Sequence, residues 1–118
     1  MAFPFINPVA TITNGTSLSG AIAFSGRAFA GLLMPAAWTA ATLTFQGSVD
    51  GTNFYDLYDT GGNEVTFTVA ASHFVAGDPS SFVGLSHIKL RSGTGGAAVN
   101  QAADRLITVA LRQIPNLK

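Results

Sequence analysis

The chain has 118 residues, of which 47% are hydrophobic and only 10% charged, with six acids balanced against six bases and no cysteine. The even charge excludes a nucleic-acid partner, which needs a basic patch, and the absence of cysteine excludes disulfides and thiolate chemistry. No stretch approaches the roughly 20 apolar residues of a membrane-spanning helix.

A chain of this length forms one domain and buries roughly two-thirds of its extended surface. Its charged fraction is far below the roughly 25% of an average soluble domain, so its surface is built from Ser, Thr, Gly, Ala, Asn and Gln. Without net charge little repulsion keeps copies apart. Two readings follow: a protein packed against copies of itself or a scaffold, or a weakly charged monomer.

Residues 1–8, "MAFPFINP", lack a basic start, and Pro4 and Pro8 break the apolar run, so no signal peptide is expected and synthesis is placed in the cytoplasm. Phe3, Phe5 and Ile6 anchor an extended arm that packs either on its own domain or on a neighbouring subunit. Residues 9–118 form the single folded domain. Short runs rich in Val, Ile, Thr and Phe, separated by many of the 13 glycines, predict β structure throughout.

The first strand is "VATIT" (9–13), closed by the turn pair Asn14-Gly15. "SLSGAIAFSG" (17–26) alternates, with Leu18, Ile22 and Phe24 on one face. "RAFAGLLMP" (27–35) follows a Ser-Gly turn. In "AATLTFQGSV" (40–49), Leu43, Phe45 and Val49 point one way and Thr42, Thr44, Gln46 and Ser48 the other, the period of a half-buried strand.

Asp50-Gly51 turns the chain and "NFYDLYD" returns as a hairpin partner. "GGNEVTFTVA" places Val65, Phe67 and Val69 inward. Residues 70–83, with Asp78-Pro79, are a long connection with a helical turn. "LSHIKLRSG" (85–93) sets Ile88 and Leu90 against His87, Lys89 and Arg91. "GTGGAAVNQAA" (93–103) is a flexible, weakly polar loop. "RLITVALRQI" (105–114) closes the domain with Ile107, Val109 and Leu111 inward. About eight strands with few helical signals give an all-β, antiparallel two-sheet sandwich.

Chemical constellations are sparse. Asp50, Asn53, Asp56 and Asp59 offer oxygens, but a calcium loop needs acids at alternate positions and a terminal bidentate Glu; Asp50 is expected to brace its own turn instead. His73 and His87, fourteen apart with no cysteine, do not make a zinc site. No G-x-S-x-G elbow or carboxylate pair is present, and "GTGG" (93–96) lacks the Lys-Ser/Thr of a phosphate loop. No metal, cofactor or enzymatic activity is expected. Aromatic faces beside acids and amides suit a sugar, which nominates Trp38, Asp50, Asn53, Tyr55 and Tyr58. The opposing reading puts Trp38, in "MPAAWTAA", at the core edge or an intersubunit contact.

Two resemblances emerge. "LTFQGSVDGTNFYDLYDTGGNEVTFTV", with the later "FVGLSHIKLRSG", resembles the second half of a discoidin-type (coagulation factor 5/8 C-type) jelly roll over residues 43–93, a family that binds lipid or galactose; the chain is shorter and has no terminal cysteines. More broadly, "LSGAIAFSGRAFAGLLMPAAWTAATLTFQGSVDGTNFYDLYD", "IKLRSG" and "VNQAADRLITVALR" resemble small virion structural proteins of tailed phages and prophages. That resemblance implies a capsid decoration (cement) protein, a homotrimer on the outer surface of the head shell whose partners are its own copies and the major capsid protein. Contacts are then expected from Phe3, Phe5 and Ile6, from Met34, Pro35 and Trp38, and from His87, Lys89 and Arg91. The alternative is a tail- or fibre-associated module that binds host carbohydrate.

Overall fold

In the computed structural model, which describes residues 5–113, apolar side chains at every second position drive two antiparallel sheets together. The first sheet holds β1 (Phe5–Ile6), β2 (Val9–Ile12), β4 (Ala28–Leu33), β8 (Phe74–Ala76) and β10 (Arg105–Arg112). The second holds β3 (Ile22–Ala23), β5 (Leu43–Ser48), β6 (Tyr55–Asp56), β7 (Thr66–Phe67) and β9 (His87–Ser92).

The ten strands reduce to eight positions. β1 and β2 share one edge of β10, while β6 and β7 both pair with β5. The orders are then β2-β10-β4-β8 and β3-β9-β5-β6/β7. From β2 to β5 and again from β7 to β10, each successive strand lies in the other sheet. Apart from β1 and β2, which share one edge, only the β5–β6–β7 stretch stays in one sheet, which is the double Greek key of a jelly roll. The expected all-β sandwich of jelly-roll type is present.

Local chemistry places the crossings. At the β3–β4 crossing Ser25 and Gly26 both take positive φ (55° and 77°), and the Arg27 N–H donates to the Phe24 carbonyl at 3.0 Å. Two consecutive positive φ values reverse a chain within two residues. Before β9, Asp78 caps a 3-10 turn over Pro79–Ser81, its carboxylate accepting from the Ser80 N–H at 3.0 Å. Pro79 suits the first helical position because its missing N–H has no partner to lose.

The core lies between the sheets. Ile12, Phe29, Leu32, Leu43, Phe45, Ile88, Leu90, Ile107, Val109 and Leu111 are fully buried, and Val65, Phe67 and Val69 pack against them as expected. At the centre Phe29 from one sheet meets Phe45 and Phe67 from the other, with Phe82 beside them. Ring centroids lie 4.4 Å (Phe29–Phe82), 4.9 Å (Phe45–Phe67) and 6.0 Å (Phe29–Phe45) apart. Offset and edge-to-face pairs of this kind add about 0.5–1.5 kcal/mol each beyond their burial. Gly77 is required here, because a Cβ on it would stand 2.2 Å from the Phe29 ring.

Several expectations are corrected. Val49 is 76% exposed rather than inward, because β5 ends at Ser48 and the turn begins there. Thr44 and Ser48, expected outward in solvent, are buried because other segments cover that face. Within residues 17–26 only Ile22–Ala23 is strand, and Leu18 makes an isolated bridge to Arg91. The connection 70–83 has its helical turn but also the edge strand β8, too short for three residues to announce a period.

The 93–103 loop is pinned by Gln101, which is 1% exposed. Its amide donates to the Thr39 carbonyl and Ser92 Oγ and accepts from the Thr39 N–H and Arg105 Nε, at 2.6–3.0 Å. Every hydrogen-bonding position of that amide is thereby filled.

Phe45→Ala is expected to cost about 3–5 kcal/mol through the cavity it opens between the sheets. Denaturant unfolding reads this as a lower midpoint with unchanged slope.

Candidate functional site

The outer faces of the two sheets differ in kind. On the second sheet, alternation aims His87, Lys89 and Arg91 away from the core, as expected, but their neighbours engage them. Arg91 is 7% exposed. Its Nη1 pairs with Asp56 at 2.8 Å, its Nη2 with Glu64 at 2.6 Å, and its Nε donates to Thr44 Oγ1 at 3.0 Å. Thr44 Oγ1 donates onward to the Gly93 carbonyl at 2.7 Å, and Glu64 accepts from the Gly95 N–H at 3.0 Å. One guanidinium thus ties β9 to β5, β6, the segment before β7 and the 93–97 loop. A buried Arg so fully bonded cannot present a contact surface, which corrects its expected role at an interface.

Lys89 Nζ lies 4.5 Å from the Phe54 ring centroid, within cation–π range. His87 Nδ1 is 2.8 Å from Ser86 Oγ. That hydroxyl also reaches the Ser48 carbonyl at 3.2 Å. Both residues line a cleft of about 680 Å³ at one end of the sandwich, together with Phe24, Arg27, Val83 and Leu85. A hydroxyl beside an imidazole is the start of a nucleophile–base pair, but the pair needs a third group to orient the base. No acidic residue lines the cleft. Among the described residues no three His, Cys, Asp or Glu gather as metal ligands.

The remaining expected contact residues scatter. Phe3 lies outside the described residues. Phe5 is 53% exposed with the Arg112 guanidinium 5.2 Å from its ring centroid, and Ile6 packs against the core. This part of the arm therefore lies on its own domain, paired with β10. Met34 is 3% exposed and belongs to the core, which corrects its placement at a contact. Pro35 is half-buried, and its carbonyl accepts from the Ser72 N–H at 2.9 Å. Trp38 also packs against the core, and its Nε1 donates to the Ala41 carbonyl at 3.1 Å. It seals the core edge.

The five sugar candidates do not converge. Trp38 sits before the start of β5 and Asp50 beyond its end, and six strand residues at about 3.3 Å each separate them by about 20 Å. Asp50 is occupied by its turn: its carboxylate accepts from the Thr52 and Asn53 N–H groups at 2.8 and 2.9 Å, from Asn53 Nδ2 at 3.0 Å and from Ser48 Oγ at 3.0 Å. These bonds, the Asn53 N–H first, hold its pKa well below the usual aspartate range. Tyr55 and Tyr58 remain exposed, at 71% and 56%.

The first sheet offers a surface that sequence reasoning passed over. Val9, Thr108, Leu33 and Phe74 are register partners across β2, β10, β4 and β8. Leu106, two residues before Thr108, shares their face. Val9, Leu33, Phe74 and Leu106 are 48%, 45%, 57% and 55% exposed. No charged residue stands in this row. The signal was available: placing Ile107 and Val109 inward leaves Leu106 outward, a large apolar residue where a solvated strand carries a polar one.

Compared with family models, curated proteins and solved structures, the chain matches none.

Arg91→Ala is expected to destabilise by about 3–5 kcal/mol, because it strands Asp56 and Glu64 in a partly buried site; equilibrium unfolding measures it. Asp50 gives a pH signature. Its depressed folded pKa stabilises the fold above the ordinary aspartate pKa, and this contribution is lost as pH falls toward the folded value. The stability gap between the native protein and Asp50→Ala should therefore be constant at neutral pH and narrow in acid. A gap that widens in acid contradicts the assignment.

Proposed function

We propose that the chain is a structural protein of a phage virion, a decoration protein that packs onto the outer surface of the head shell and stabilises it without catalysis. The observation that carries this reading is the uncharged apolar row across the first sheet, on a protein whose surface has few charges to keep partners away. An exposed apolar face of this kind marks an interaction surface. The resemblance to small virion proteins of tailed phages supplies the context, and jelly rolls recur in viral capsid and lectin domains, an analogy of fold alone.

Shell stabilisation in this reading is mass action. A protein that binds the assembled lattice and not its dissociated subunits shifts the equilibrium toward the closed shell, and bridging neighbouring capsomers multiplies the effect. The partners are the major capsid protein and further copies of this chain, on a virion surface reached after synthesis in the host cytoplasm.

A carbohydrate-binding tail module is the second reading. The exposed rings of Tyr55 and Tyr58 favour it, now without Trp38.

Cryo-EM of virions of the encoding phage decides between them. The expected result is density for this chain on the outer shell, together with co-sedimentation of purified protein with undecorated shells. Density confined to the tail, with glycan binding lost in Tyr55→Ala, overturns the decoration reading.

A further inference from the structure

We propose that the cleft at the end of the sandwich binds a small organic acid. Arg27 and His87 hold its carboxylate, and Val83 and Leu85 receive its apolar body. None of the exposed apolar residues of the first sheet lines this cleft. The site therefore goes beyond the decoration reading and does not depend on it.

Two turns build the polar wall. Ser25 and Gly26 reverse the chain at positive φ between β3 and β4, and Arg27 follows them directly. Its Nη1 donates to the Ser25 carbonyl at 3.2 Å, which folds the guanidinium back over its own turn. A guanidinium carries five N–H donors in one plane and serves several partners at once. His87 opens β9, and its ring packs against Gly51 of the β5–β6 turn, where a Cβ would stand 2.8 Å from Cε1. Its Nδ1 lies 2.8 Å from Ser86 Oγ, and that hydroxyl donates its one proton to the Ser48 carbonyl at 3.2 Å. The hydroxyl therefore accepts from Nδ1–H, which leaves Nε2 as the ring nitrogen for another partner. Packing and bonding together fix this ring before any ligand arrives.

Charge and size select the ligand. The cleft holds about 680 Å³, within the roughly 300–1,000 Å³ of small-molecule sites. Its lining includes a guanidinium and an imidazole but no carboxylate, so an anion meets no acid there. The planar fork of Arg27 matches the two oxygens of a carboxylate. One permanent cation balances one negative charge, whereas a phosphate dianion is gathered by several cations or by a helix N-terminus. The described residues contain no α-helix. The rest of the wall is aliphatic, from Ala23, Ala28, Val83 and Leu85, because Phe24 is only 4% exposed. An apolar body fits this wall, and no open aromatic face is offered to a sugar ring.

Amide NMR of the native chain titrated with benzoate tests the proposal, with benzamide as the neutral isostere and acetate as the bare carboxylate. Benzoate is expected to shift the Ser25, Gly26, Arg27 and His87 signals saturably. Benzamide and acetate should each bind about tenfold more weakly or worse. Arg27→Gln, which keeps a polar side chain on the turn, should weaken benzoate by about tenfold. Val83→Glu should do the same by placing an acid on the wall, and at 59% exposure the position tolerates it. Unchanged β5 and β10 signals in both variants show that the fold is kept. No saturable shift with benzoate, equal binding of benzamide, or tighter binding of phenyl phosphate than of benzoate overturns the proposal. So does full benzoate affinity in Arg27→Gln and Val83→Glu. Failure here leaves the decoration reading standing, because co-sedimentation with shells is read separately.

Discussion

Everything in this protein hangs on the contact of four phenylalanine rings between its sheets. Phe29 comes from one sheet, Phe45 and Phe67 from the other, and Phe82 from the connection that crosses between them. A jelly roll brings together strands far apart in sequence, so each crossing costs chain entropy that only a shared core can offset. Large rings suit this task because each buries much area and meets several partners at once. Gly77 passes against Phe29 where any side chain would collide, so backbone and core are fitted to each other.

Two outer faces remain once that core is formed, and they are finished differently. On the second sheet, Arg91 gathers Asp56, Glu64, Thr44 and the 93–97 loop into a bonded cover. The side chains of Arg91, Thr44, Asp56 and Glu64 are spent on the protein itself. Among the described residues the first sheet has no such cover, and Val9, Leu33, Phe74 and Leu106 stand exposed on it. This asymmetry bears more directly on function than any single residue does. A protein with one self-satisfied face and one bare apolar face presents a direction in which to pack.

The acidic-aromatic stretch 46–59 illustrates how tertiary context reassigns chemistry. Asp50 is consumed by its turn and Asp56 by Arg91, while Phe54 lies beneath Lys89. What reads as a ligand-binding cluster is mostly internal bracing. The rings of Tyr55 and Tyr58 remain exposed. The histidine is reassigned in a similar way, turned into the cleft beside Ser86 rather than presented on a flat charged face.

Alternation along the chain was enough to determine the fold class and part of the core, though it did not single out Phe29, Leu32 or Phe82. Leu43, Phe45, Ile88, Leu90, Ile107, Val109 and Leu111 were all legible, because a strand with one face in a core must repeat every second residue. The turns at Asn14-Gly15, Ser25-Gly26 and Asp50-Gly51 were legible because their backbone needs residues tolerant of positive φ or able to brace it. What lay beyond the sequence was the fate of the outward positions. Thr44, Ser48 and Arg91 look solvated and are buried; Met34 looks like a contact residue and serves the core; β8 is too short to carry a period. Only the tertiary structure decides these, because whether an outward side chain meets water or protein depends on segments tens of residues away. The lone guanidinium of Arg91 can be recognised as a clamp only after β6, the Glu64 segment and the 93–97 loop have been brought to it.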